Sequence, residues 1–94
     1  MLGGSLYQTY VIKEAVKMGY YVISCDYLPN NPGHRYAHEY YNISTTDKEA
    51  VYKLAKDIQV DGIVAYASDP AAPTAAYVCE KLGLPTSLFR RDFI

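Results

Sequence analysis

Apolar residues recur at helical spacing in three segments of the chain, and short continuous apolar runs separate these segments. The first segment, residues 6–18, predicts a helix with one apolar stripe. Gly19 follows at the position where a left-handed backbone ends many helices. The next run, residues 20–25, predicts a strand covered on both faces and ended by Asp26. The predicted stripe consists of Tyr7, Tyr10, Val11, Ala15 and Met18.

The middle of the chain is rich in turn-forming residues and then resumes regular patterns. Residues 28–38 predict a loop that contains both histidines, and residues 39–43 predict a short strand. Thr46 with Glu49 three positions later has the pattern of a capping box, which predicts the start of a second helix. One face of that helix carries Val51, Leu54, Ala55 and Ile58.

The last third of the chain repeats the order of strand and helix. Residues 63–67 predict another buried strand, and Ser68 or Asp69 is expected to cap a third helix. Pro70 suits the first turn of that helix, because the amide hydrogen that proline lacks has no partner there. The helix is expected to end at Leu82, before Gly83.

This order, βαββαβα, predicts a three-layer Rossmann-like α/β domain with a small parallel sheet. Ninety-four residues correspond to a single domain, residues 1–94. If Gly3-Gly4 is the turn after the first strand, only Met1-Leu2 remain for that strand. The first strand is central in this topology, so we expect a truncated strand in a chain that begins late, as a fragment or a shortened reading frame.

Composition restricts the function classes. The net charge of −1 and the pI of about 6.0 leave no basic surface for nucleic acid and no polybasic membrane patch. No apolar stretch approaches the ~20 residues that cross a bilayer, and no signal peptide is present. Cys25 and Cys79 belong to no CxxC motif and are expected to be buried, reduced thiols. Together these features predict a cytoplasmic protein.

Candidate chemistry lies where the predicted strands end. Ligands of doubly wound sheets bind beyond the carboxyl ends of the strands, and three segments fall on that edge. Glycines there let a ligand approach the backbone, and a carboxylate accepts hydrogen bonds from hydroxyl or amino groups. Each segment alone also fits a plain turn, a strand end or a helix cap. Their convergence favours a ligand site formed by Gly3, Gly4, Ser5, Leu6, Asp26, Ser68 and Asp69.

Other chemistries find less support in the residues. The turn at Gly3 lacks the third glycine of a dinucleotide fingerprint, and no P-loop motif is present. His34 and His38 stand in a predicted loop without further ligands of suitable spacing, so we expect surface histidines and no metal site. Neither histidine is expected beside a serine or cysteine nucleophile such as Ser24, and no catalytic residues are predicted. The tyrosines are expected mostly in the core and at its rim.

Five segments, taken in their order and spacing, carry a family resemblance: Leu2-Gly3-Gly4-Ser5-Leu6, Val22-Ile23-Ser24-Cys25-Asp26, residues 32–40, Asp61-Gly62-Ile63-Val64 and Lys81-Leu82-Gly83-Leu84-Pro85. Together they resemble the N-terminal (pre-ATP-grasp) domain of ATP-grasp ligases, a group that includes carbamoyl-phosphate synthetase large subunits, biotin carboxylases and the ATP-grasp purine-synthesis enzymes. The resemblance covers residues 2–85. Residues 68–74 look like the version found in carbamoyl-phosphate synthetase-like proteins.

The resemblance implies a division of labour. In that family the N-terminal domain contributes substrate contacts from its glycine-rich turn, which matches Gly3, Gly4, Ser5 and Leu6, and from the acid matching Asp26. Several purine-synthesis members have an acidic residue at the position of Ser5, so their substrate does not transfer directly. ATP and Mg²⁺ are held mainly by two later domains, whose lysines and metal ligands have no place in this chain. Residues 88–94 would begin the link to them.

The leading hypothesis is therefore a substrate-positioning domain of a carboxylate–amine ligase, inactive alone. It would act on a small molecule together with ATP-grasp domains in cis or in trans. Two alternatives stay open. One is a stand-alone nucleotide-binding module that uses the glycine turn and Asp26. The other is an interaction or homodimerisation module, because a sheet with a shortened strand can recruit another chain.

Overall fold

The computed structural model describes residues 1–66 and 70–84 and confirms the α/β class. Three α-helices and a parallel pair of strands alternate along the chain. Their order is α1 (Leu6–Lys17), β1 (Ile23–Asp26), a 3-10 helix (Pro32–Tyr36), β2 (Glu39–Asn42), α2 (Lys48–Ile58) and α3 (Ala72–Leu82).

The sheet is built around the start of the chain. β1 pairs in parallel with β2, and Leu2 forms a parallel bridge to Cys25 on the other side of β1. Two backbone hydrogen bonds hold this bridge, from Cys25 N–H to Met1 O (3.0 Å) and from Gly3 N–H to Cys25 O (2.7 Å). Leu2 N–H in turn donates to Val64 O at 2.9 Å. Leu2 forms only an isolated bridge, but it lies between β1 and the segment that contains Val64, the central place that its position before the glycine turn predicts.

Residues 63–66 run beside Leu2 but do not form an assigned strand, so the prediction of a strand over 63–67 is wrong for this part. Ala67 lies outside the described residues. The reason is the short neighbour: a first strand of two residues offers few backbone groups with which a further strand can pair.

Side chains alternate along β1 and separate two environments. Ile23 and Cys25 face α2 and α3, where Cys25 joins the apolar core. Ser24 and Asp26 face the opposite way, toward α1 and the 3-10 helix. The domain therefore has three layers, with an apolar core on one side of the sheet and a polar junction on the other. The core consists of Leu2, Cys25, Val51, Ala55, Ile63, Ala71, Ala75, Val78 and Cys79.

Helix α1 turns a different face inward from the one that its apolar spacing predicts. Tyr7, Tyr10 and Met18 are 73%, 69% and 71% exposed, whereas Gln8 and Ile12 are buried. The cause is a pair of polar contacts. The side chain of Gln8 bonds both to the start of the helix and to the carbonyl of Tyr66, which rotates the tyrosines toward solvent.

Two helix starts also differ from prediction. Asp47, not Thr46, caps α2, and its carboxylate accepts from Ala50 N–H at 3.2 Å. Thr46 is instead held in the preceding turn by Ser44. Helix α3 begins at Ala72 with Ala71 at its N-cap, so the prediction that Ser68 or Asp69 caps it is wrong. Its early proline is Pro73, and Pro70 lies before the helix. The predicted ends hold, because Gly83 closes α3 with φ +71°.

The segment before β1 is not part of the strand. Tyr20 and Tyr21 are 62% and 64% exposed, so the prediction of core tyrosines here is wrong. Tyr21 packs instead on His38 (ring centroids 4.5 Å apart) and donates to Glu39. That bond raises the pKa of the Tyr21 phenol and lowers the pKa of the Glu39 carboxyl.

Both cysteines are buried and free, as predicted. Burial raises the pKa of the Cys25 thiol and of the Cys79 thiol, which keeps them protonated and unreactive. Within residues 1–66 and 70–84, the structure has no helix of the length and apolarity that crossing a membrane requires.

Candidate functional site

The glycine turn and the end of β1 meet in one hydrogen bond. Gly4 N–H donates to Asp26 Oδ2 at 3.1 Å, across 22 residues of chain, and both residues are buried. Gly3, directly before it, adopts φ +105°, a conformation that side chains other than hydrogen rarely permit. The two segments that the sequence places on the same sheet edge are therefore in direct contact.

The carboxylate of Asp26 organises this edge by accepting three hydrogen bonds. Besides Gly4, Leu28 N–H donates to Oδ1 at 3.2 Å, and the amide of Asn31 donates to Oδ2 at 2.9 Å. Only 8% of Asp26 is exposed. Burial of a carboxylate is costly unless donors compensate it, and here both oxygens have them. Asp26 thus holds both the glycine turn and the loop after β1 at the end of the strand.

Gly4 is also covered by the 3-10 helix. Gly33 N–H donates to Gly4 O at 2.6 Å, and a Cβ built on Gly4 would overlap the imidazole of His34. A Cβ on Gly33 would lie 2.6 Å from Gly4 O. Gly33 is thus required by close packing against the backbone of Gly4, and Gly4 by close packing against the His34 ring. His34 occupies the space that a side chain at position 4 would need.

His34 is bound from both ring nitrogens. Nε2 lies 3.2 Å from the carbonyl oxygen of Leu28, which can only accept, so Nε2 carries the hydrogen. Nδ1 then accepts from the Ser24 hydroxyl at 2.8 Å. Desolvation lowers the pKa of His34, although Asp26 and the Leu28 carbonyl act in the opposite direction. The ring also contacts that of Tyr40, with centroids 4.0 Å apart.

This contact corrects two predictions. His34 is half-buried rather than fully exposed, and a serine does lie beside it. Ser24 is fully buried, however, so its hydroxyl cannot reach a substrate. The pair instead holds the 3-10 helix against β1. Strand alternation places Ser24 on the side of Asp26, but nothing in the sequence shows that a loop residue ten positions on folds back over it.

The first turn of α1 presents its residues unequally. Ser5 N–H donates to Gln8 Oε1 at 2.9 Å, and the Ser5 hydroxyl also donates to that oxygen. Gln8 Nε2 donates to Tyr66 O at 2.8 Å. Leu6 is 74% exposed. The segment that ends at Tyr66 therefore adjoins the same turn. The start of α1 is already capped by the side chain of Gln8.

Of the predicted site residues, the structure brings Gly3, Gly4, Ser5, Leu6 and Asp26 together at one edge. Ser68 and Asp69 lie outside the described residues, two and three positions after Tyr66. Sequence reasoning missed the polar residues that complete the junction. A useful signal was present, because a turn of Asn, Pro, Gly and His after a strand supplies both donors and close-packing glycine. The residues missed are Gln8, Ser24, Asn31, His34 and Tyr40.

The described residues do not fit a metal ion, because they contain no group of three or more His, Cys, Asp or Glu side chains that could hold one. The amides of Gly4 and Ser5 are taken by Asp26 and Gln8, so the glycine turn has no free amide there for the triphosphate of ATP. Asp26 is buried and accepts three internal hydrogen bonds.

The fold and this edge define a Rossmann-like α/β domain whose glycine turn is hydrogen-bonded to the end of β1. Residues 12–86 match the ATP-grasp N-terminal domain, and the chain belongs to that family. Three solved structures agree. Phosphoribosylglycinamide synthetase from Anaerococcus prevotii is similar with a TM-score of 0.80 and 25% identity over 89% of this chain.

Two N5-carboxyaminoimidazole ribonucleotide synthetases are also similar, each over 85% of this chain. The enzyme from Staphylococcus aureus, complexed with ADP, gives a TM-score of 0.71 and 28% identity, and that from Thermotoga maritima gives 0.65 and 26%. This chain covers only 22%, 21% and 22% of the three structures, in the order given. Comparison with curated proteins finds no match.

Proposed function

We propose that this domain positions a small substrate for a carboxylate–amine ligase of the ATP-grasp superfamily, with ATP and Mg²⁺ held by ATP-grasp domains outside this chain. The observation that carries the proposal is the bond from Gly4 N–H to Asp26 Oδ2, which assembles the strand-end edge. The match of residues 12–86 to the ATP-grasp N-terminal domain supports a ligase of this superfamily.

The residues of the edge divide their roles in this proposal. Asp26 acts through the turn that it braces, because its oxygens already accept three internal hydrogen bonds. The groups that contact substrate then come from two places in the chain. They are Ser5 and Leu6 at the start of α1, and Ser68 and Asp69 after Tyr66. A nucleotide-binding module that uses Asp26 for a ribose hydroxyl is less favoured, because the carboxylate is buried and already accepts three internal hydrogen bonds.

Amide chemical-shift mapping on the ¹⁵N-labelled chain tests the proposal. The probes are phosphoribosylglycinamide and N5-carboxyaminoimidazole ribonucleotide, the compounds in the names of the similar enzymes, with Mg-ATP as a control ligand. We expect a ribonucleotide to shift the amides of Gly4, Ser5, Leu6 and Leu28, and Mg-ATP to leave them in place.

Two results would count against the proposal. If both ribonucleotides at millimolar concentration leave this edge unshifted, the edge does not hold a substrate of that class. If Mg-ATP binds tightly at the same amides, the nucleotide-binding alternative takes its place. Asp26→Ala is a poor test, because it removes three internal hydrogen bonds and would unfold the junction.

A further inference from the structure

The connection between β1 and β2, residues 27–38, is held in place without the apolar core. It includes the 3-10 helix, its only buried residue is Gly33, and none of its side chains belongs to the core. We call residues 27–38 the histidine strap. A segment that buries so little apolar surface depends on its hydrogen bonds and can open by itself while the rest of the domain stays folded.

Two imidazole rings attach the histidine strap to the strand that it crosses. Val22 N–H, directly before β1, donates to Nδ1 of His38 at 2.9 Å, and His38 N–H donates to Val22 O at 2.8 Å. Two positions further along, the Ser24 hydroxyl donates to Nδ1 of His34. Both rings therefore accept a hydrogen bond at Nδ1, which requires that this nitrogen carries no proton.

The bond to Val22 makes His38 the stricter of the two contacts. A backbone amide can only donate, so a proton on Nδ1 of His38 would place two N–H groups against each other. The Ser24 hydroxyl can rotate and accept instead, so a protonated His34 keeps part of its contact. Burial still opposes a charge on this ring, since desolvation lowers the pKa of His34.

The groups around His38 come from both flanking segments. Its ring stacks on Tyr21, whose hydroxyl donates to Glu39. Hydrogen bonds from Tyr21 and Tyr41 lower the pKa of the Glu39 carboxyl, and a positive charge on His38 acts in the same direction. Glu39 is therefore an anion beside the protonated ring. Within the histidine strap itself, Arg35 is the one permanent charge.

The groups around His34 come from three elements. Asp26 of β1 and the ring of Tyr40 of β2 face it. From α1, Lys13 lies over the nearby ring of Tyr36, with Nζ 4.8 Å from the centroid. The positive charge of Lys13 and the negative charge of Asp26 therefore oppose each other near this ring.

The histidine strap also braces the strand-end edge. Gly33 N–H donates to Gly4 O at 2.6 Å, which holds the glycine turn from the side of the 3-10 helix. Two of the three hydrogen bonds to the Asp26 carboxylate come from Leu28 and Asn31, both in the strap. Release of the strap would therefore remove supports from both halves of this edge.

We infer that the histidine strap is an acid-sensitive brace, which holds the strand-end edge together while His38 and His34 are neutral and detaches locally when they take up protons. Histidine is the side chain that ordinarily changes its charge between pH 5 and pH 8, so the brace is closed near neutral pH and opens in mild acid. Weaker substrate binding in acid would follow, and that consequence rests on the proposed function. The opening itself does not.

Hydrogen exchange of the ¹⁵N-labelled chain at about pH 7.5 and about pH 5 tests the inference, with each rate divided by the intrinsic rate of that amide at the same pH. We expect the protection of Val22, Gly33 and His38 to fall about tenfold or more in acid. A loss of about 1.4 kcal/mol, within the range of one or two hydrogen bonds, is a factor of ten. The amide of Cys25, which bonds to Met1 O on the other side of β1, is the reference and should keep its protection.

Variants separate the two rings from other effects of acid. In His34→Gln combined with His38→Gln, each amide oxygen accepts a hydrogen bond at every pH, so the strap should stay protected in acid. Tyr21→Phe is the matched control, because it removes the hydroxyl bonded to Glu39 but keeps a ring against His38. Its acid response should match that of the original chain. In that chain, imidazole ¹⁵N signals should show His38 protonated at Nε2 alone near neutral pH.

Three results would overturn the inference. The first is a strap whose protection is unchanged in acid, the second an equal loss at Cys25, and the third an undiminished acid response in the combined glutamine variant. Circular dichroism checks the fold of each variant, and if one fails to fold, the original chain with its Cys25 reference still decides. Ribonucleotide shifts without acid release of the strap would leave the substrate proposal standing and remove this one, and the converse result would do the reverse.

Discussion

At the scale of single residues, Gly4 shows how close packing and chemistry combine in one position. Its N–H binds Asp26, its carbonyl binds Gly33, and the space beside its Cα holds the ring of His34. Its requirement for glycine is steric, because only Gly3 of the two has a positive φ. From the sequence, Gly4 suggests that a ligand approaches the backbone. In the structure, the space around Gly4 is filled by the protein's own His34 and Gly33.

Replacing Gly4 with alanine should destabilise the domain by about 1–3 kcal/mol, the usual cost of overpacking. The measurement is the urea midpoint of the purified chain. In a His34→Ala background the added methyl group finds space, so the same substitution should cost much less. Equal costs in both backgrounds would show that His34 does not fill this position.

The desolvation of His34 makes stability depend on pH. Because burial lowers the pKa of His34 below its ordinary 6.5, the unfolded chain takes up a proton that the folded chain resists. The free energy of unfolding should therefore be constant above the unfolded pKa and should fall as the pH drops through 6.5 toward the folded pKa.

Urea titrations at several values between about pH 7 and pH 5 measure this slope. His34→Gln keeps a polar side chain without a titrating ring and should flatten the slope in that window. A variant that loses stability with acid as steeply as the original chain would assign the effect to another group.

At the scale of elements, α1 shows what the sequence predicts and what it does not. The bounds of the helix and the glycine after it follow from local rules, and both are observed. The buried face does not, because it depends on Gln8 reaching a carbonyl 58 residues away. The same holds for the polar junction: Asp26 is evident as a strand end, whereas His34 enters through a fold-back of the loop.

Gln8→Leu should therefore loosen two elements at once. It removes the hydrogen bonds that the Gln8 side chain makes with Ser5 N–H and with the Tyr66 carbonyl, each of which contributes about 0.5–1.5 kcal/mol. Hydrogen exchange should accelerate at Ser5 and at the segment beside Leu2. Thr9→Val, on the same turn, removes only a side-chain bond to Ser5 O and should change exchange much less. Equal acceleration in both variants would contradict the bridging role.

At the scale of the whole molecule, Leu2 connects the sheet to the apolar core. Leu2 is 2% exposed and packs in the same cluster as α2 and α3, while its backbone pairs with β1 and with Val64. The sequence predicts this central place from chain order alone. The partial pairing of residues 63–66 depends on strand length in three dimensions and escapes the local pattern.

Leu2→Ala should cost about 2–5 kcal/mol, as expected for a buried leucine. For a domain of this size that loss is a large share of the total stability, so thermal unfolding should shift strongly. Leu6→Ala is the matched control. Leu6 is 74% exposed, and its loss should change stability by no more than about 0.5 kcal/mol. Similar midpoints for the two variants would refute the central role of Leu2.

The alternation along β1 has a consequence for how this strand can vary. Because neighbouring positions serve opposite layers, inserting or deleting one residue between Val22 and Asp26 would exchange the two sets, placing a hydroxyl among apolar side chains and a thiol beneath the imidazole. Point substitutions disturb one layer at a time. A change of length disturbs both layers. The four-residue length of β1 is therefore as strong a constraint on this strand as its composition.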